Sequence, residues 1–153
     1  MIDQPNTLER PAQRTAVVHI TCPRSEIRKV MGPGYSELMS TLASQAVAPT
    51  GRWFTHHLQT NAETFDFEIG VQVAVEVSPS GRVTPSEMPA GRFARVIYRG
   101  PYEGLPAAWG EFDLWIRANG FKADVSLWEF YVTDPAVEKD PSKYETELVR
   151  PLL

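Results

Sequence analysis

The sequence contains one cysteine, Cys22. That excludes an internal disulfide, leaves no second thiolate for a zinc site and suits a reducing compartment, so a cytoplasmic location is expected. Long apolar runs are missing too. No stretch approaches the roughly 20 residues that a membrane-crossing helix needs, and Met1 to Arg10 is polar and mixed in charge, without the apolar core of a secretory signal. Basic residues are scarce: 15 Lys and Arg stand against 19 Asp and Glu, a formal net charge of -4. Phosphate backbones are held by clustered Lys and Arg. The nearest cluster, Arg24, Arg28 and Lys29, reads as a solvated helical turn, so direct nucleic-acid binding is not expected. The adjacent His56 and His57 point to opposite faces of a strand, with no Cys beside them and no Glu at helical spacing, so neither a metal nor a cofactor is expected. Serine-nucleophile motifs are absent, and Gly32-Pro33-Gly34 lacks the further Gly and Lys of a phosphate-cradling loop.

What remains is apolar enough to fold. With 42% hydrophobic residues in 153, the chain can bury a core without metal or disulfide staples and is expected to form one compact domain over residues 14–153, after a flexible lead-in over 1–13. The β-branched stretch Arg14 to Thr21 predicts a buried strand closed by Pro23. Gly32-Pro33-Gly34 predicts a turn; beyond it Tyr35, Leu38, Met39 and Leu42 make one apolar stripe of a helix to about Ala46. Pro49 and Gly51 close that helix, and a strand is expected from Arg52 to Leu58. Phe65, Phe67, Ile69, Val71, Val73, Val75 and Val77 then alternate with mostly polar neighbours, the period-two signature of a half-buried strand. Pro79, Gly81, Pro85 and Pro89 read as a breaker-rich joining segment.

The remaining chain repeats this order. A strand is expected from Arg92 to Arg99, then the turn Gly100-Pro101, then a helix striped by Leu105, Trp109, Phe112 and Ile116 and stopped by Gly120. Strands over Ser126 to Thr133 and Tyr144 to Leu152 flank a Pro-rich loop. Each half, about 14–78 and 91–153, therefore reads strand-helix-strand-strand. Gly32-Pro33-Gly34-Tyr35 resembles Gly100-Pro101-Tyr102, and Phe67-Glu68-Ile69 resembles Thr146-Glu147-Leu148, which supports a duplication. The fold class expected is α+β: a tandem pseudo-twofold repeat of strand-helix-strand-strand modules, its curved antiparallel sheet carrying helices on one side and a ligand cleft.

Within Ser126 to Thr133, Trp128, Phe130 and Val132 point one way and Leu127, Glu129 and Tyr131 the other. Glu129 thus stands mid-strand between bulky neighbours, where it is either an ordinary solvated acid or a functional one. Here the chain resembles the GyrI-like effector-binding domains, which occur alone and at the C-terminus of AraC-type and MerR-type transcription regulators. The resemblance is carried by Phe67-Glu68-Ile69-Gly70-Val71, Tyr98-Arg99-Gly100-Pro101-Tyr102, Trp109 with Phe112 and Trp115, Leu127-Trp128-Glu129-Phe130-Tyr131 with Asp134-Pro135, and Thr146-Glu147-Leu148 with Pro151-Leu152. In multidrug-binding members an acid on the penultimate strand, preceded by an aromatic, neutralises a lipophilic cation, and an aromatic opening the last strand stacks on it. The resemblance places Trp128-Glu129 and Tyr144 at those positions. Aligning Trp53 with Trp128 sets Phe54 opposite Glu129, so the first half would contribute no acid.

The resemblance implies a stand-alone module that binds a small organic molecule, lipophilic, aromatic or cationic. Glu129, Tyr144, Tyr131, Trp109, Tyr98, Trp53 and His56 are the candidate binding residues; cation–π contact and one carboxylate in a low-dielectric site supply the affinity. For the aromatics on the helix stripe, Trp109 among them, core packing is the competing role. Some stand-alone relatives hydrolyse strained cyclopropane rings, so a hydrolase with Glu129 as its catalytic acid is the second reading. The founding member restrains DNA gyrase, so a protein-binding inhibitor is the third. A protein partner or a second copy of the chain stays open under each. The regulators' DNA-binding helix-turn-helix is not expected, because only the lead-in precedes the first expected strand.

Overall fold

The computed structural model describes residues 2–60 and 63–153. In chain order the elements are β1 (Asn6–Arg10), β2 (Gln13–Pro23), α1 (Ile27–Ser44), β3 (Pro49–Thr60), β4 (Thr64–Val73), β5 (Val83–Met88), β6 (Gly91–Arg99), α2 (Leu105–Ala118), β7 (Leu127–Tyr131) and β8 (Glu145–Pro151). No helix among the described residues is long and apolar enough to cross a membrane. Contacts divide the chain into two units, Pro11–Ala90 and the residues before Pro11 together with Gly91–Leu153.

In the Pro11–Ala90 unit the antiparallel order is β3-β4-β2-β5. Ala16, Val18 and Ile20 of β2 and Phe67, Ile69, Val71 and Val73 of β4 form one face, onto which α1 lays Leu38 and Leu42. The helix is longer than expected. Gly32-Pro33-Gly34 lies inside it, not before it. Pro33 is exposed and deprives the Lys29 carbonyl of a helical N–H. Gly34 is buried, and a Cβ there would stand 2.6 Å from Ile69 Cδ1; the motif lets the helix press against the sheet.

Three further expectations are corrected. The joining segment contains a strand, β5, paired with β2. Its Pro85 is tolerated because β5 is the edge of this unit's sheet, where a missing N–H breaks no ladder on the outer side. The valine alternation outruns β4, which ends at Val73; Val75 is 61% exposed. The expected lead-in contains a strand, since β1 pairs with β6 from Asn6↔Arg95 to Arg10↔Gly91.

In the other unit the order is β1-β6-β8-β7, again antiparallel. Ala94, Val96, Tyr98 and Leu148 face α2, which buries Ala108, Phe112 and Ile116 against them. The two orders are equivalent. Each places the third strand of its module between the other two and adds an edge strand, β5 or β1, beside the first. The register confirms the Phe67-Glu68-Ile69 and Thr146-Glu147-Leu148 match, because Ile69 pairs with Val18 as Leu148 pairs with Val96. It also shifts the expected alignment by one residue. Glu129 pairs with Leu148 and Thr55 with Ile69, so the counterpart of Glu129 is the buried Thr55, not Phe54.

On the unit's polar face, Asp66 accepts hydrogen bonds from Thr21 Oγ1 (3.3 Å) and Gln59 Nε2 (3.2 Å) and pairs with His19. The His19 hydrogen bond, ahead of the opposing effect of burial, holds the Asp66 carboxyl below its ordinary value of 3.8. A depressed folded-state value means stability that is present above the unfolded value and lost as pH falls through the folded one. Asp66→Asn is therefore expected to cost about 0.5–1 kcal/mol at neutral pH, the range of an exposed pair. The difference from wild type should shrink below about pH 4, read by urea unfolding across pH. A constant difference would mean that the pair carries no such linkage.

Candidate functional site

The α2-facing side of β7 carries Leu127, Glu129 and Tyr131, since Trp128, paired with Val149, lies on the other side. Glu129 is 8% exposed. Its Oε2 accepts the indole N–H of Trp109 on α2 at 2.7 Å, and its Oε1 accepts the Tyr131 hydroxyl at 2.9 Å. Trp109 packs on Phe112 at 5.8 Å between ring centroids while its indole holds the acid.

The unit's other buried acid makes the contrast. Glu147, 7% exposed, receives Arg95 Nε at 2.6 Å and Arg10 Nη2 at 3.3 Å. Its charge is met by two guanidinium groups. Among the described residues, Glu129 has neutral hydrogen-bond partners. A buried carboxylate is usually paired with a cation, because neutral donors offset only part of its lost hydration.

Aromatic rings lead away from Glu129 through Tyr131. Tyr102, in a 3-10 turn ahead of α2, sets its ring 6.0 Å from Tyr131 and 5.2 Å from Tyr144. Desolvation raises the Tyr102 phenol above its ordinary value of 10.0, and the charges of Tyr144, Asp134 and Glu129 add to the rise. Tyr102 stands in the Tyr98-Arg99-Gly100-Pro101-Tyr102 motif and is not among the binding residues expected from the sequence. The signal available was its place one residue after Pro101, at the turn that leads into α2.

The remaining candidates stand elsewhere. Tyr98 is 4% exposed and donates its hydroxyl to the Pro101 carbonyl at 2.7 Å. It closes the Gly100–Gly104 turn. A Cβ on Gly104 would collide with that hydroxyl, so Gly104 is needed for the close approach. Trp53 and His56 lie in the Pro11–Ala90 unit. The Trp53 ring packs on Tyr35 at 4.9 Å, and His56 Nδ1 lies 2.9 Å from Glu68 Oε1. Among the described residues no group of three or more His, Cys, Asp or Glu is placed to hold a metal ion. A groove of about 390 Å³ lined by Ile2, Asp3, Gln4, Pro5, Glu111 and Trp115 shares no residue with the Glu129 cluster.

The model of the GyrI-like small molecule binding domain matches residues 3–153. The chain belongs to this family. No curated protein matches this GyrI-like domain in sequence, but solved structures share its fold. The C-terminal domain of EcmrR superposes with a TM-score of 0.86 at 22% identity, covering 98% of this chain and 97% of that one. In the EcmrR–DNA complex the TM-score is 0.85 at 23% identity, covering 97% of this chain, and the GyrI-like domain spans 57% of that longer chain. SAV2435 bound to tetraphenylphosphonium superposes at 0.70 with 12% identity, covering 99% and 94% of the two chains. A hydrolase from Listeria innocua also gives 0.70 at 12% identity, covering 98% and 92%.

Proposed function

We propose that this GyrI-like domain binds a lipophilic organic cation, with Glu129 as the counter-charge and Tyr102, Tyr131, Tyr144 and Trp109 as the aromatic surround. The observation that carries this reading is the burial of Glu129 among neutral partners. A cation placed there gains from the carboxylate in a poorly hydrated setting, and aromatic faces add about 0.5–2 kcal/mol each. Rings make apolar contact without fixed hydrogen-bond geometry, which favours a range of cations over one. The structure of SAV2435 with tetraphenylphosphonium supplies a probe of the right chemistry.

The test is tetraphenylphosphonium binding, by calorimetry and thermal shift, to wild type and Glu129→Gln. Glutamine keeps the shape: its oxygen can accept from Trp109 and its amide can donate to the Tyr131 oxygen. The variant is expected to fold and to bind about ten-fold more weakly, the loss of roughly one charge-assisted contact, with a smaller ligand-induced rise in melting temperature. Equal affinity for both proteins would remove Glu129 from the function.

A second reading is hydrolysis of a strained or electrophilic ring. It is favoured by the Tyr131–Glu129 hydrogen bond of 2.9 Å, which gives the acid a hydroxyl partner for proton transfer. A ring-opened, hydrated product separates it from simple binding, which returns the ligand unchanged.

A further inference from the structure

Resting on the binding reading above, we infer that Thr146 is a second polar anchor of the Glu129 site. Together the two select cations that carry at least two N–H bonds, primary or secondary ammonium groups, over fully alkylated ones.

The strand register places Thr146 at the site. In β8 it pairs with Tyr98 of β6 on one side and with Tyr131 of β7 on the other. Its side chain shares a face with that of Leu148, which packs beneath α2 and pairs with Glu129. Residues directly opposite across a strand pair have Cβ atoms about 4.5–5.5 Å apart, and diagonal neighbours lie about 7–8 Å apart. Thr146 is thus beside Tyr131 and one diagonal step from Glu129, within the reach of one ammonium nitrogen hydrogen-bonded to both side chains. Thr146 is fully buried, and its Oγ1 has no hydrogen-bond partner among the described residues. A buried hydroxyl in that condition is rare, because it forfeits the hydrogen bonds it makes in water.

The Pro11–Ala90 unit differs at both positions. By the register, its counterparts of Thr146 and Glu129 are Phe67 and Thr55. Phe67 pairs with Ile20 and His57, and its buried ring stacks on His57 at 5.4 Å. Where one module packs a ring, the other sets a short hydroxyl beside an acid held by neutral donors. A group that brings positive charge and N–H donors meets both. Tyr131 controls the approach. The Tyr98 hydroxyl is fastened to the Pro101 carbonyl at 2.7 Å, whereas the Tyr131 hydroxyl rests on Glu129 Oε1 at 2.9 Å. An ammonium N–H competes for that same oxygen with its charge as well as its hydrogen bond. The Tyr131 ring is then released to turn aside, and a second N–H reaches Thr146 Oγ1. A trimethylammonium group has the charge but no N–H, so it leaves Thr146 untouched.

The test is calorimetric titration of the full chain, as wild type, Thr146→Val and Thr146→Ser, with three cations. These are naphthylmethylammonium, its N-trimethyl counterpart and tetraphenylphosphonium. Valine keeps the shape of threonine without the hydroxyl, and serine keeps the hydroxyl. Thr146→Val is expected to bind naphthylmethylammonium about ten-fold more weakly than wild type, the worth of one hydrogen bond to a charged group. It should bind the two cations that lack N–H within about two-fold of wild type. Thr146→Ser should keep the wild-type pattern. Because Oγ1 has no partner to lose, Thr146→Val should melt no lower than wild type, so its loss of affinity is not a loss of fold. With tetraphenylphosphonium bound by wild type, two results overturn the Thr146 inference and leave the binding reading intact. One is a marked fall in the melting temperature of Thr146→Val; the other is an equal change in its affinity for naphthylmethylammonium and the trimethyl counterpart. Failure of all three cations to bind wild type overturns the two together.

Discussion

Truncating Phe112 to alanine is expected to lower the free energy of unfolding by about 3–5 kcal/mol. Phe112 has no exposed surface and stands in the cluster that joins α2 to Ala94, Val96 and Leu148. Its ring lies 5.8 Å from Trp109 and 6.5 Å from Trp115, so its removal opens a cavity between two indoles that a backbone-anchored helix cannot close. The effect reaches the site. Trp109 leans on Phe112 and holds Glu129, so a loosened indole should also weaken tetraphenylphosphonium binding. Urea unfolding and calorimetry on the same samples measure both, and Phe112→Leu, which retains most of the volume, should lose under half as much stability. A stability loss below about 1 kcal/mol would mean that the helix is not seated on this ring.

Substituting valine for Gly70 is expected to cost about 3 kcal/mol by overpacking. Gly70 sits mid-strand in β4, opposite Phe54 of β3 and Val17 of β2. A Cβ there would stand 2.7 Å from Phe54 Cε1 and 2.9 Å from Val17 Cγ1, with Phe54 Cζ nearer still. The Phe54 ring fills the space that the missing side chain leaves. Shortening it should compensate, so the double variant Gly70→Val with Phe54→Leu is expected to recover at least about 1 kcal/mol relative to additivity. Purely additive losses would show that ring and glycine are not partners.

These two positions show how far the sequence could be read. Phe112 was legible because helical periodicity placed it on one stripe with Trp109 and Ile116, and apolar periodicity reports burial directly. Gly70 was not: in an alternating strand it takes a polar slot, and only the ring of Phe54, folded over from another strand, reveals why nothing larger fits. The same difference explains β1 and β5. Their residues, Asn6–Arg10 and Val83–Met88, are short and polar or broken by proline. What makes them strands is the unpaired edge of β6 or β2, a property of the partner and not of their own composition.

The candidate site divides along the same line. Period-two alternation put Glu129 and Tyr131 on one face, and the family resemblance singled out Glu129 and Tyr144. That Tyr98 closes a turn while Tyr102 joins the cluster was decided in three dimensions, because both tyrosines stand in the same motif and only the fold sets the Tyr98 hydroxyl on the Pro101 carbonyl and the Tyr102 ring beside Tyr131 and Tyr144.

By itself the sequence determined the α+β class, the duplicated strand-helix-strand-strand order and the apolar faces of both helices, since each follows from local spacing that a solvent-averse face must obey. The tertiary structure alone decided which buried acid is neutralised by arginines and which is left to neutral donors. Glu147 and Glu129 look alike along the chain. They differ because Arg10 and Arg95 converge on one of them from other strands, while an indole and a phenol converge on the other.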